Sequence, residues 1–293
     1  MFYRRKIILS LFQLCNGNVE KIKLQKLLFL YSQRKRESEY DFVPYKYGCY
    51  SYSANADLVT MVKKGYLSES ENVYTKIDQK DYITTLKPKD RELLTETIER
   101  YGNMENETLI RHTYINFPYY AINSTIAKRI LNDEYYNRVL NSIPSGNKKS
   151  VFTIGYEGTS LEKYLNKLVK NNIKLLIDVR KNPLSMKYGF SKTLLKRFCE
   201  SLGIKYLHIP EVGINSNQRQ TLEKQEDYQI LFEIYKNTTL KETSTQQQEI
   251  INLLNEHYRI ALTCFESNIC QCHRLPLAES LKSIQSDLIV EHL

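Results

Sequence analysis

The chain has 293 residues, 42% hydrophobic and 26% charged, enough for one large domain or two ordinary ones with a sizeable core. No stretch approaches the ~18 consecutive apolar residues of a membrane span, and six cysteines over this length exclude a disulfide scaffold. The net charge of +9 is uneven: residues 1–150 hold 24 Lys+Arg against 17 Asp+Glu, whereas residues 151–293 hold 18 against 16. A basic first half predicts a polyanionic partner, DNA or RNA, with a merely lysine-rich surface as the equal alternative.

In chain order, "MFYRRKIILSLFQLC" reads as the first helix of a cytoplasmic protein rather than a leader, because no small-residue cleavage site follows it. "EKIKLQKLLFLYSQRK" and "SANADLVTMVKKG" carry further apolar stripes, and "YLSESENVYTKI" suits a small hairpin. Three helices and a hairpin form the winged-helix order, which docks one helix in a DNA major groove. A helix from about Lys89 to Tyr101 and a tail to about Leu140 complete a mainly helical domain over residues 1–145.

Pro144, Ser145, Gly146 and Asn147 form a turn-rich linker. Beyond it, residues 150–293 alternate between short apolar runs and helical patterns. "VFTIGY", "KLLIDVR", "IKYLHIP" and "YRIALTCFE" are the predicted strands. "GTSLEKYLNKLVKNN", "SKTLLKRFCESLG", a stretch across roughly 217–236, a segment ending near Glu256 and "LPLAESLKSI" are the predicted helices. Ser160 or Thr159 can cap the first of these and Ser191 the second. The expectation is a Rossmann-like α/β domain, a mostly parallel sheet with helices on both faces. Ligands should then bind at the carboxyl ends of the strands.

Two resemblances attach to these motifs. "KLQKLLFLY" with "FVPYKYGCYSYSANADLVTMVKKGYL" is similar to the winged-helix-like Panacea (antitoxin-associated) domain, which shows Pro-x-x-x-Gly-x-Tyr here; Cys49 stands where a proline is expected. "TIGYEGTSLEKYL", "LIDVRKNPLSMKYGFSK", "YLHIPEVG" and "CFESNICQCHRLPLAESL" resemble, in that order, domain-of-unknown-function family 488. Lys187 takes a place where arginine is common, and Val212 one where leucine is common. The family implies the fold and no particular reaction.

The chemistry-bearing residues cluster at strand ends. Asp178 and Arg180 alternate on one strand, as a fold-closing ion pair or as a phosphate grip with Asp178 orienting Arg180. Lys187 and Ser185 lie in a basic loop that can collect an anion. Gly155 permits close approach of backbone or ligand. His208 reads as a hydrogen-bonded strand residue, and Glu211 follows a proline where it can reach the crevice. In "TCFESNICQCHRLP", Cys264 and Glu266 face the same way. Cys272, His273 and Arg274 open the last helix, where the helix dipole and Arg274 should lower the thiol pKa.

Three chemistries compete at that corner. An anion cradle around Arg274 is the preferred one. Structural zinc on Cys264, Cys270, Cys272 and His273 is disfavoured by cramped spacing, so no metal is assigned. A Cys264–Cys272 redox pair is the third. The expected function is a nucleic-acid- or nucleotide-associated enzyme of unknown cofactor, with Glu266 as general acid/base beside Cys272, His273, Asp178 and Glu211, and with Arg180, Arg274, Lys187 and Gly155 at the phosphate. The alternatives are a non-catalytic DNA-binding regulator or defence-type switch sensing a nucleotide-like ligand, and a thiol redox sensor.

Overall fold

The structure, a computed structural model, describes residues 1–214 and 224–293. It divides into two compact units, Met1–Ile143 and Pro144–Leu293. Among the described residues, no helix is long and apolar enough to cross a membrane.

The first unit runs α1 (Tyr3–Leu14), β1 (Asn18–Glu20), α2 (Lys21–Gln33), β2 (Val43–Tyr45), β3 (Gly48–Tyr50), α3 (Tyr52–Lys63), β4 (Leu67–Glu69), β5 (Val73–Lys76), α4 (Pro88–Tyr101), α5 (Asn106–Asn116), α6 (Ala127–Ile130) and α7 (Asp133–Asn141). Ile7, Ile8, Leu11 and Phe12 of α1 meet Leu24, Leu27 and Leu28 of α2 and Ala54, Leu58 and Met61 of α3 in one core. The Ser51 hydroxyl caps α3, accepting from the Ala54 amide at 3.1 Å. The expected hairpin is β4–β5, and β1 pairs antiparallel with β5 to give the order β1-β5-β4.

Three features of this unit were not anticipated. Strands of three residues, such as β1, offer too few positions for alternation to declare itself. The β2–β3 hairpin turns at Lys46 and Tyr47, and Gly48 takes φ +88, which favours glycine. A Cβ at Gly48 would also lie 2.5 Å from the Tyr114 ring. The stretch taken as a tail is helical, with Asn132 capping α7 through the Tyr135 amide.

The second unit runs β6 (Ser150–Gly155), α8 (Leu161–Lys170), β7 (Leu175–Asp178), α9 (Lys192–Ser201), β8 (Lys205–His208), α10 (Gln225–Asn237), α11 (Thr239–Glu242), α12 (Ser244–His257), β9 (Arg259–Cys264), α13 (Arg274–Ile284) and β10 (Ile289–His292). Its sheet has five parallel strands in the order β10-β6-β9-β7-β8. The four expected strands are present, and β10 is an unforeseen fifth at the edge beside β6. The part of the 217–236 stretch up to residue 223 lies outside the described residues; α10 forms the remainder.

Helices flank both faces. Ile177, Val179, Ile260 and Leu262 pack against Leu231 and Tyr235 of α10, Ile250 and Leu254 of α12, and Leu277 and Leu281 of α13. The opposite side chains face α8 and α9, where Tyr164 donates its hydroxyl to Thr263 Oγ1 at 2.8 Å. Ser160 caps α8 through the Lys163 amide, and Leu161, Tyr164, Leu165 and Leu168 are buried, each contributing up to about 1.5–3 kcal/mol.

Candidate functional site

A cavity of about 450 Å³ opens at the carboxyl ends of β6, β7 and β9. Its walls include Tyr156, Arg180, Lys181, Ser185, Cys264, Phe265 and Glu266. β9 lies between β6 and β7 although it comes after both in the chain, and strand order of this kind leaves a crevice for ligands.

Strand alternation divides the polar residues between the two faces of the sheet. On the α8–α9 face, Asp178 and Arg180 form a buried bidentate pair, with Arg180 Nε and Nη2 donating to the two carboxylate oxygens at 2.8 and 2.5 Å. Arg180 Nη1 donates to the Tyr156 hydroxyl and to the Phe190 carbonyl, both at 2.8 Å. Tyr206 donates to the other side of the pair, reaching Asp178 Oδ2 at 2.6 Å. Burial pulls the Arg180 pKa down, but the Asp178 hydrogen bonds and charge more than reverse this, so the guanidinium stays protonated. Four of its five N–H donors are thereby used within the fold. The fold-closing role accounts for this pair, and Arg180 is at the same time one of the residues that wall the cavity.

On the α12–α13 face, Cys264 ends β9 and Cys272 and His273 precede α13. His273 Nε2 donates to the Val179 carbonyl at 3.1 Å, which turns Nδ1 toward Cys264 Sγ at 3.8 Å and Cys272 Sγ at 3.9 Å. Arg274 Nε donates to Cys272 Sγ at 3.1 Å, and its Nη2 donates to the Glu266 carbonyl. Cys272, His273 and Arg274 are each at most 1% exposed. Burial and the neighbouring Cys264 push the Cys272 thiol well above its ordinary pKa, against the pull of Arg274. The lowered value expected from the helix start is therefore reversed, because desolvation outweighs the dipole and the cation. Arg274 is likewise no open anion cradle: its guanidinium holds the loop after β9.

The remaining expected residues fall in different places. Glu266 and Arg180 line the cavity, and Cys264 joins them there. Lys187 reaches back to the Tyr156 carbonyl at 2.7 Å, burial lowering its pKa, while the Ser185 hydroxyl accepts from the Lys187 amide. His208 Nε2 lies 2.9 Å from the Arg180 carbonyl and Nδ1 2.9 Å from Lys192 Nζ, as a structural strand histidine would. Glu211 is exposed on a short 3-10 turn, Pro210–Val212, and is not among the cavity walls. Gly155 serves backbone approach: a Cβ there would lie 1.9 Å from the Glu266 carbonyl oxygen. Cys270 is exposed on the turn Ile269–Gln271, apart from the buried thiols.

Residues 160–281 match the family described as Domain of unknown function DUF488. That match supports the resemblance read from the second half, and it takes in β7, β8, β9 and the Cys-His corner. No curated protein matches the chain. Sequence reasoning missed Tyr156, Lys181, Tyr206 and Phe265. The signal for Tyr156 and Phe265 was available: each follows directly on a strand whose carboxyl end was expected to hold a ligand.

Proposed function

We propose that the protein is a nucleic-acid- or nucleotide-associated enzyme whose active site is the cavity at the ends of β6, β7 and β9. The observation that carries this is the meeting of Lys181, Arg180 and Ser185 with Glu266 and the exposed Phe265 ring around one opening. Lys181, with the fixed positive charge of Arg180 behind it, suits a phosphate. Phe265, 44% exposed, offers a stacking face to a base. Glu266, half-buried at the rim, is the group placed for proton transfer. The first unit would deliver the nucleic acid. Its succession α1, β1, α2, α3, β4, β5, with the β2–β3 hairpin inserted between α2 and α3 and with strand order β1-β5-β4, supports a winged-helix-like reading in which α3, with exposed Lys63 and the Lys64 that follows it, faces the groove. The tip of the β4–β5 hairpin carries Glu69 and Glu71, so the hairpin itself would stay off the phosphates.

The same helix-and-strand order favours the second reading, a non-catalytic regulator that binds DNA and senses a nucleotide-like ligand in the cavity. One experiment separates the two. The full chain is screened for turnover and binding of nucleotides and short nucleic acids across a salt series, beside Glu266→Gln. Under the enzymatic reading turnover drops about 10²–10⁴-fold while binding holds, and affinity for nucleic acid falls steeply with salt. Binding without turnover in either protein establishes the regulator. Absence of both at low salt removes nucleic acids and nucleotides as partners.

A further inference from the structure

Cys264, Cys272 and His273 offer three ligand atoms that all lie within 4.8 Å of one another, and all three side chains are buried. We propose that they hold a zinc-class cation, with a fourth position open to the cavity. The spacing is that of ligands around one ion. Zinc bonded tetrahedrally to sulfur and nitrogen separates its donor atoms by roughly 3.5–3.8 Å. The two sulfur-to-nitrogen distances, 3.8 and 3.9 Å, need only a few tenths of an ångström of closure.

Two further features prepare the site. The Nε2 bond to the Val179 carbonyl fixes the histidine tautomer and aims Nδ1 at the sulfurs, the usual outer-shell support of a metal-bound imidazole. Arg274 places a buried guanidinium against Cys272 Sγ, an arrangement suited to a thiolate. A bound cation would displace both thiol protons to solvent and supply the charge that holds the thiolates. Two sulfurs and one imidazole form a donor set for zinc or a similar late transition ion, not for magnesium or calcium. The three protein ligands found among the described residues are one short of a closed structural site. Cys264 is also a wall of the cavity, so the fourth ligand would be water or a molecule entering there. The proposal stands apart from the enzymatic reading, since a regulator could hold the same ion.

The test uses the full chain, purified under reductant and stripped of metal. Titrated with Co²⁺, it should bind about one equivalent and develop the near-ultraviolet absorption of cobalt–thiolate bonds. Zinc should displace the cobalt and erase the band. Cys272→Ser should weaken binding by at least about 100-fold and remove most of the band, while Cys270→Ser, which alters an exposed thiol, should leave both unchanged. Wild-type protein with all six thiols reactive after unfolding, yet no band, would overturn the proposal without any variant having to fold. A band that survives Cys272→Ser, or a Cys264–Cys272 disulfide that forms equally fast with and without zinc, would overturn it as well. The disulfide outcome would point instead to thiol redox chemistry.

Discussion

Arg180 in the second unit and Lys26 in the first are both buried cations, and the two are satisfied differently. In the second unit Arg180, 5% exposed, faces a carboxylate in bidentate geometry and spends two further N–H groups on Tyr156 and Phe190. In the first unit Lys26, 1% exposed, donates to the Tyr47 and Cys49 carbonyls and lies 3.4 Å from the Cys49 sulfur. None of these three partners is a carboxylate. Burial consequently lowers the Lys26 pKa, and Cys49 restores only part of the loss, whereas Asp178 keeps Arg180 charged. A planar guanidinium paired with an anion tolerates desolvation; an ammonium among carbonyl dipoles moves toward its neutral form.

The contrast breaks most sharply at Asp178. Asp178→Asn leaves Arg180 charged and buried beside a neutral amide, and should cost about 3–5 kcal/mol of folding free energy. Urea unfolding would read this as a lower midpoint at unchanged slope; a loss below ~1 kcal/mol would mean that Tyr156, Phe190 and water suffice. Arg180→Lys should cost less, about 1–3 kcal/mol, because charge is kept while the two-pronged contact and the bonds to Tyr156 and Phe190 are lost. A variant as stable as the parent would show the fork to be dispensable.

Lys26→Met should have the smallest effect at neutral pH, within roughly 1 kcal/mol in either direction, since a flexible apolar chain of similar length replaces a poorly solvated amine. Its value lies in pH. The folded-state pKa of Lys26 lies below its unfolded value of about 10.4. Between the two the unfolded chain binds more protons, so this residue's contribution rises with pH. The stability of the parent relative to Lys26→Met should therefore climb between the lowered folded-state pKa and about 10 and then level off. A difference that stays flat across that window would show Lys26 to titrate normally.

What the sequence made legible follows the same division between local and distant causes. The apolar runs ending at Asp178 and Cys264 declare buried parallel strands, and the helix starts at Leu161 and Arg274 lie where Ser160 and Pro276 place them. The proximity of Cys264, Cys272 and His273 was also readable, because a strand end and the following helix start are neighbours. Hidden were the partners supplied from afar. Tyr156 and Tyr206, 24 and 28 positions from Arg180 and Asp178, convert a suspected ligand grip into a largely closed pair. Spacing could not reveal that Cys272 and Arg274 would be walled off by helices packed on that face. Pattern reading therefore brought these side chains to one corner and misjudged the balance of burial and charge there.

The contact between Gly155 and the Glu266 carbonyl has a consequence for how this cavity can diversify. The end of β6 touches the loop after β9 backbone to backbone, with no room for even one methyl group. A relative that keeps the loop must keep glycine there; one that carries any other residue must have rebuilt the stretch that presents Phe265 and Glu266. Changes in ligand preference would then have to enter through the segment around Lys181–Ser185 or through Phe265 and Glu266 themselves, while the floor between them stays fixed.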